Sequence, residues 1–174
     1  MKRDVNIEDL FRAYKGDVFT YLVYFTGHAD VEDLVQETFI RAMKGISGYR
    51  HNASVKTWLY AIARNLAVDF KRRKHVVAID EELLNLPSSD RSPEEQMEVR
   101  DTTKHILNLL GQVNAQYRDV LILRGIHELS TQETAEVLGW TTVRVNVTFH
   151  RALKVARKLI ETEDGEERLY GAIK

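Results

Sequence analysis

Apolar residues along the chain recur at three- and four-residue spacing, and no stretch sustains the strict alternation of a half-buried strand. This pattern predicts helices at about 7–26, 29–45, 54–74, 98–112, 115–127, 131–138 and 142–162, with Gly27, Gly45, Gly48 and Gly139 where helices end. Both prolines, Pro87 and Pro93, fall in one polar stretch in which neither periodicity persists. The expected fold is all-α. A three-helix module spans 1–75, a flexible linker 76–97, a second module of four shorter helices 98–162, and an acidic tail 163–174. Each module is small but long enough to bury a core.

The polar faces of three of these helices carry the candidate chemistry. In the 29–45 segment, Val31, Leu34, Val35, Thr38 and Ala42 form the buried stripe, and Asp33, Gln36, Glu37 and Arg41 lie opposite with Ile40 among them. An apolar residue inside a polar rim is the pattern of a partner-binding patch, and equally of a solvated face with one stray isoleucine. In the 54–74 segment, Val55, Leu59, Ile62, Leu66 and Phe70 are expected inside, and Thr57, Tyr60, Arg64, Ala67 and Lys71 outside. An exposed aromatic beside cations suits single-stranded nucleic acid, because bases stack on rings and phosphates pair with Lys and Arg. A plain surface helix would instead use the basic run at 71–74 to complement its C-terminal dipole. The preceding loop, Tyr49 to Ser54 with Arg50 and Asn52, is rich in hydrogen-bonding groups able to hold an unstacked base.

The last two helices read as a helix-turn-helix. Ala135 lets the helices cross closely, Gly139 makes the turn, Val145 packs the second helix back, and Thr141 or Thr142 can cap it. With Val145, Phe149, Ala152, Ala156 and Leu159 buried, the outward face presents Thr142, Arg144, Asn146, Val147, His150, Arg151 and Lys154, types suited to major-groove edges and phosphates. His150 has no second ligand at metal spacing, so neither a metal nor another cofactor is expected.

Composition changes this picture in three ways. With 44% hydrophobic and 29% charged residues the chain has enough apolar material for packed cores. The absence of cysteine excludes disulfides and thiolate zinc sites. The opening residues show no apolar signal core and no window approaches a membrane span, so a cytoplasmic home is expected. The net charge of −1 hides a separation of signs: 64–75 and 140–160 are basic, whereas 80–101 is rich in Asp and Glu. No convergent acidic set, phosphate-cradling glycine loop or nucleophile with its base is present, which argues against an enzyme acting on nucleic acid.

Taken in order, these segments resemble the bacterial sigma factors of the extracytoplasmic-function class, in the sigma-70 family, over nearly the whole chain. Val31 to Ala42 (VEDLVQETFIRA) is similar to the family's region 2.2, Tyr49 to Asn65 to regions 2.3 and 2.4, and Leu129 to Gly139 (LSTQETAEVLG) to region 4.2. The resemblance implies a non-catalytic promoter-specificity factor that joins core RNA polymerase. Asp33, Gln36, Glu37, Ile40 and Arg41 would dock on the β′ clamp helices. Tyr49, Arg50, Asn52, Ser54, Thr57, Trp58, Tyr60, Arg64 and Lys71 would hold the melted −10 element, and the 142–154 helix would read the −35 duplex. It further implies contact with the β flap and control by an anti-sigma protein that clasps both modules. Thr134 and Val147 depart from the usual residue types, which leaves the promoter sequence open. A minimal two-module form is expected, with an acidic linker that either threads a basic polymerase channel or masks the DNA-reading faces. The alternative is an ordinary helix-turn-helix repressor or activator whose N-terminal half senses a signal or dimerises.

Overall fold

The computed structural model describes residues 6–49, 54–74 and 93–172, and among these every regular element is helical. Helix α1 (Ile7–Thr26) starts where the Asn6 side chain accepts from the Glu8 N–H at 3.0 Å. It stops at Gly27, whose φ of 77° lies in the left-handed region that favours glycine. Helix α2 (Glu32–Gly45) begins three residues after the expected 29 and runs into a single 3₁₀ turn, Ile46–Gly48. Helix α3 (Val55–Lys74) opens on Ser54, whose hydroxyl accepts from the Thr57 N–H at 3.1 Å. A side chain at Gly45 would come within 3.3 Å of the Trp58 ring, so the end of α2 can sit this close to α3 only as glycine or after adjustment.

Helix α4 (Pro93–Gln112) takes in residues expected in the linker. The proline read as a linker mark is the first residue of a helix, where its missing N–H satisfies no intrahelical bond in any case. The rest of that linker lies outside the described residues. Helix α5 (Ala115–Val120) is capped by Asn114 and passes into a π-helical turn, Leu121–Ile126. Glu128 follows at φ 55°, a conformation uncommon for a residue with a side chain. Helix α6 (Thr131–Leu138) opens with a reciprocal capping box: Ser130 Oγ accepts from the Glu133 N–H at 3.1 Å and Glu133 Oε2 from the Ser130 N–H at 2.9 Å. Helix α7 (Thr142–Ala172) continues through the segment expected as a tail. That segment has no apolar stripe to betray a helix, and its isolated glycines cost only about 1 kcal/mol each.

Helices α1, α2 and α3 pack on one another around Tyr21, Leu22, Val31, Leu59 and Ala63, all at most 1% exposed. In the C-terminal module, α5, α6 and α7 enclose Val120, Ile122, Leu123, Val145 and Ala152. Burying one such branched apolar side chain stabilises by ~1.5–3 kcal/mol. The two cores are continuous rather than separate, because α6 lies against α3 and the π-turn against α1.

Candidate nucleic-acid interface

The α6–α7 unit has the expected helix-turn-helix construction. Ala135 is buried at the crossing, Gly139 turns the chain at φ 65°, and Val145 is fully buried. Thr141 is the cap, its hydroxyl accepting from the Arg144 N–H at 3.2 Å. The stripe of Val145, Phe149, Ala152, Ala156 and Leu159 turns inward, and Thr142, Arg144, Asn146, Val147, His150, Arg151 and Lys154 are all exposed. Two of these are already engaged. The Arg144 guanidinium lies over the Trp140 ring at 3.9 Å, and Asn146 Oδ1 accepts from Thr131 Oγ1 at 3.0 Å and Arg124 Nη1 at 3.1 Å. Asn146 therefore has its amide N–H groups, not its oxygen, to offer a base edge. Thr134 is completely buried, with its hydroxyl unpaired among the described residues.

Helix α3 departs from expectation. Tyr60 and Thr57 are each 1% exposed, so neither is the open platform that the helical wheel suggested. The inferred inner stripe does face α1 and α2, with Leu59 and Leu66 buried, but the other side is covered too. Tyr60 Oη is 2.7 Å from His127 Nδ1 and its ring meets Tyr21 edge-on. Arg64 makes a two-pronged ion pair with Asp119, Nε to Oδ1 at 3.2 Å and Nη2 to Oδ2 at 2.8 Å. Ser54 Oγ and Thr57 Oγ1 lie 3.4 and 3.5 Å from Glu133 Oε1. Lys71 is half-buried and donates to the Phe25 carbonyl at 3.3 Å. A single-helix wheel finds the face turned to one neighbour; it carries no signal for a second neighbour that arrives from residues 115–138.

Burial governs the electrostatics of this junction. It pushes the Asp119 carboxyl above its ordinary value, and the Arg64 hydrogen bonds and charge only partly offset it. It also works to lower Arg64, but the hydrogen bond and charge of Asp119 outweigh it and leave the guanidinium above its usual value. Burial, with the nearby Arg118 charge, brings Lys71 down to about 8. His127 is brought down to about 4, again chiefly by burial. Glu133 is held low by the Ser130 backbone N–H it accepts.

The loop before α3 leaves a more accessible aromatic pair, Tyr49 stacked on Trp58 at 4.9 Å and 27°. Both are partly exposed, and Ser54 beside them is exposed. Arg50 and Asn52 lie outside the described residues.

On the opposite side, Asp33, Gln36, Ile40 and Arg41 of α2 are exposed and Glu37 is partly so, paired with Arg41 at 2.8 Å. Ile40 rims an apolar groove of about 800 Å³ between α1 and α2, floored by Phe11 and Phe39 in edge-on contact and continued by Met43. Phe11 and Met43 were missed in the sequence because each reads as an ordinary apolar position on its own helix; only the packing of α1 against α2 joins them to Ile40.

The chain matches two family descriptions, "Sigma-70 region 2" over residues 10–76 and "Sigma-70, region 4" over 104–155. It is 35% identical to the RNA polymerase sigma factor YlaC of Bacillus subtilis (strain 168), over 97% of this chain and all of that protein. It is 32% identical to the ECF RNA polymerase sigma factor SigX of the same organism, over 87% of this chain and 82% of SigX. Its fold is similar to that of the sigma factor RpoE in complex with the anti-sigma factor NepR from Bartonella quintana. That likeness has a TM-score of 0.69 and 20% identity over 88% of this chain and 96% of that one.

Proposed function

The chain belongs to the sigma-70 family, in its extracytoplasmic-function class, and on that premise we propose how its faces divide the work of a promoter-specificity factor. The chain makes and breaks no bond itself; polymerase does the chemistry. The exposed face of α7, with Arg144, Asn146, Val147, His150, Arg151 and Lys154 aligned after the Gly139 turn, reads the −35 duplex in the major groove. That alignment is the observation that carries the reading. Thr142 at the start of the helix contacts phosphate. The start of α3, with Tyr49, Trp58, Ser54 and Thr57, and its continuation through Tyr60, Arg64 and Lys71, holds the melted −10 strand, Arg50 and Asn52 joining from the loop between. Asp33, Gln36, Glu37, Ile40 and Arg41, with the Phe11–Met43 groove behind them, dock on the β′ clamp helices of core polymerase. The C-terminal module also meets the β flap.

A regulatory partner belongs to the proposal, an anti-sigma protein like the one bound to RpoE. Among the described residues no helix is long and apolar enough to cross a membrane, and partners of this kind place the chain in the cytoplasm. The repressor or activator alternative is not favoured, since it leaves no reason for a region 2 match over residues 10–76. Run-off transcription with core polymerase on a fragmented genomic template tests the proposal. Promoter-dependent transcripts that disappear with Arg144→Glu and Arg151→Glu support it; no promoter-dependent product on any template overturns it.

A further inference from the structure

Three neighbours on the outer face of α7 form a surface that the packing of their own module does not require. Val143, Asn146 and Val147 stand three and four residues apart, so they share one side of the helix. The two valines are 70% and 44% exposed, and each is branched at Cβ, which favours a helix less than a straight chain does. Neither belongs to the core, where Val145 takes the inward position between them. Arg144, Arg151 and Lys154 stand around them, and residues 140–160 contain no acid. Apolar side chains set in so basic a surface suit a polyanion that itself offers apolar groups. In duplex DNA these are the thymine methyls of the major groove.

The amide between the valines is fixed in one orientation. Asn146 Oδ1 accepts from Thr131 Oγ1 at 3.0 Å and from Arg124 Nη1 at 3.1 Å, so both lone pairs of its oxygen are taken. Arg124 is itself held, its guanidinium lying over the Phe149 ring at 4.6 Å. A guanidinium has donors and no acceptor, so turning the amide over would set N–H against N–H. The pairing of asparagine with adenine needs the amide oxygen as well as the nitrogen, and here that oxygen is occupied. Cytosine offers a donor at its major-groove edge, which an N–H repels. Thymine offers the acceptor O4 beside a methyl group, the complement of an amide N–H beside a valine; guanine offers acceptors but no methyl.

We propose that Val143, Asn146 and Val147 together read thymine in the −35 duplex: Asn146 donates to O4, and the valines meet the methyl of that thymine and of a neighbouring one. Thr131 and Arg124 act through Asn146. They are positioning residues that keep its amide a donor and so exclude adenine and cytosine at that base pair. This rests on the reading that α7 enters the major groove of the −35 element.

The test selects duplexes from a random-sequence DNA pool with holoenzyme assembled from the full chain and core polymerase. The enriched duplex is then resynthesised with deoxyuridine in place of each thymidine in turn, which removes one methyl and alters no hydrogen bond. At one or two positions the affinity is expected to fall about fourfold, the effect of exposing one apolar carbon. Val143→Ala with Val147→Ala should make binding indifferent to that exchange. Asn146→Asp keeps an acceptor toward Thr131 and Arg124 but turns an oxygen outward, and is expected to move the preference at that position from thymine to cytosine by about tenfold. Arg124→Met with Thr131→Val frees the amide oxygen and is expected to move the preference toward adenine, whereas a merely structural role would weaken all duplexes alike. A wild-type chain indifferent to deoxyuridine at every position, or a deoxyuridine effect that persists without the valines, overturns the proposal. Arg151→Glu then separates the causes. If it weakens binding, α7 lies on the duplex but does not read thymine; if it leaves binding unchanged, the −35 reading itself has failed.

Discussion

On α7 every residue proposed to read DNA stands in solvent, whereas on α3 Thr57, Tyr60 and Arg64 are met by Glu133 of α6, His127 after the π-turn and Asp119 of α5. Both helices are basic, and both carry an inner stripe that packs on their own module. The difference lies in what the other module does. The outer face of α7 meets Trp140, Arg124 and Thr131 through Arg144 and Asn146 and still stays exposed, while α3 packs against α1 and α2 and also against α6. Basic residues on an amphipathic helix therefore do not by themselves define an available nucleic-acid face. A cation within reach of a carboxylate from another part of the chain is spoken for.

The comparison can be broken most forcefully at Asp119. Its side chain is 4% exposed and that of Arg64 21%, so Asp119→Arg leaves a half-buried guanidinium facing a second cation. Loss of a buried pair of this kind costs ~3–5 kcal/mol, and thermal unfolding followed by circular dichroism should show a lower or divided transition. Duplex binding should be unaffected by the same change, since the α7 face is already open.

Next in size, Arg144→Ala and Arg151→Ala should each weaken −35 duplex binding by ~1–3 kcal/mol if they meet base edges, and lower the salt dependence if they meet phosphates. Fluorescence anisotropy at two salt concentrations checks both. Neither change should alter the packing of the modules, because both side chains are exposed on α7 and the polar contacts to α3 come from Asp119, His127 and Glu133.

Acid offers a graded way to weaken the junction. His127 faces the Tyr60 hydroxyl and the Tyr21 ring, with Asp17 of α1 and Lys56 of α3 nearby. Its value is about 4 in the folded protein against an ordinary 6.5, so the folded state binds fewer protons. Its contribution to the junction is complete above pH 6.5 and is lost as the pH falls from there toward 4, by at most about tenfold per unit. The raised Asp119 carboxyl acts with the opposite sign. Thermal unfolding against pH should therefore show the His127 share of the junction's stability falling below 6.5, and His127→Gln should remove that share and leave the opposite dependence of Asp119.

The smallest effect is expected on the other side of the molecule. Glu37 and Arg41 pair at 2.8 Å but are 42% and 49% exposed, so Arg41→Ala should shift stability by less than ~0.5 kcal/mol. Set beside Arg64 and Asp119, it separates a solvated ion pair from one that joins two modules. A loss of transcription with stability intact would assign Arg41 to polymerase docking.

Most of the helix boundaries were legible in the sequence because they depend on neighbours a few residues away. Asn6, Ser54, Asn114 and Ser130 cap the helices that follow them, and Gly27 and Gly139 turn the chain at positive φ. The α7 reading face was legible for the same reason, since one inner stripe and one turn settle its orientation. Pro93 was misleading, because a proline that breaks one helix can equally begin another. The extension of α7 was not visible, because that segment has no apolar stripe.

What the sequence by itself determined, then, is local: which segments are helical, which stripe of each turns inward, and, through ordered motifs, the family. Which outward face remains outward was decided only by the tertiary structure. Arg64 and Asp119 are separated by 55 positions, Tyr60 and His127 by 67, and Thr57 and Glu133 by 76. No periodicity links residues so far apart. Their encounter depends on how two modules pack, and a helical wheel registers only the neighbour that its own apolar stripe demands.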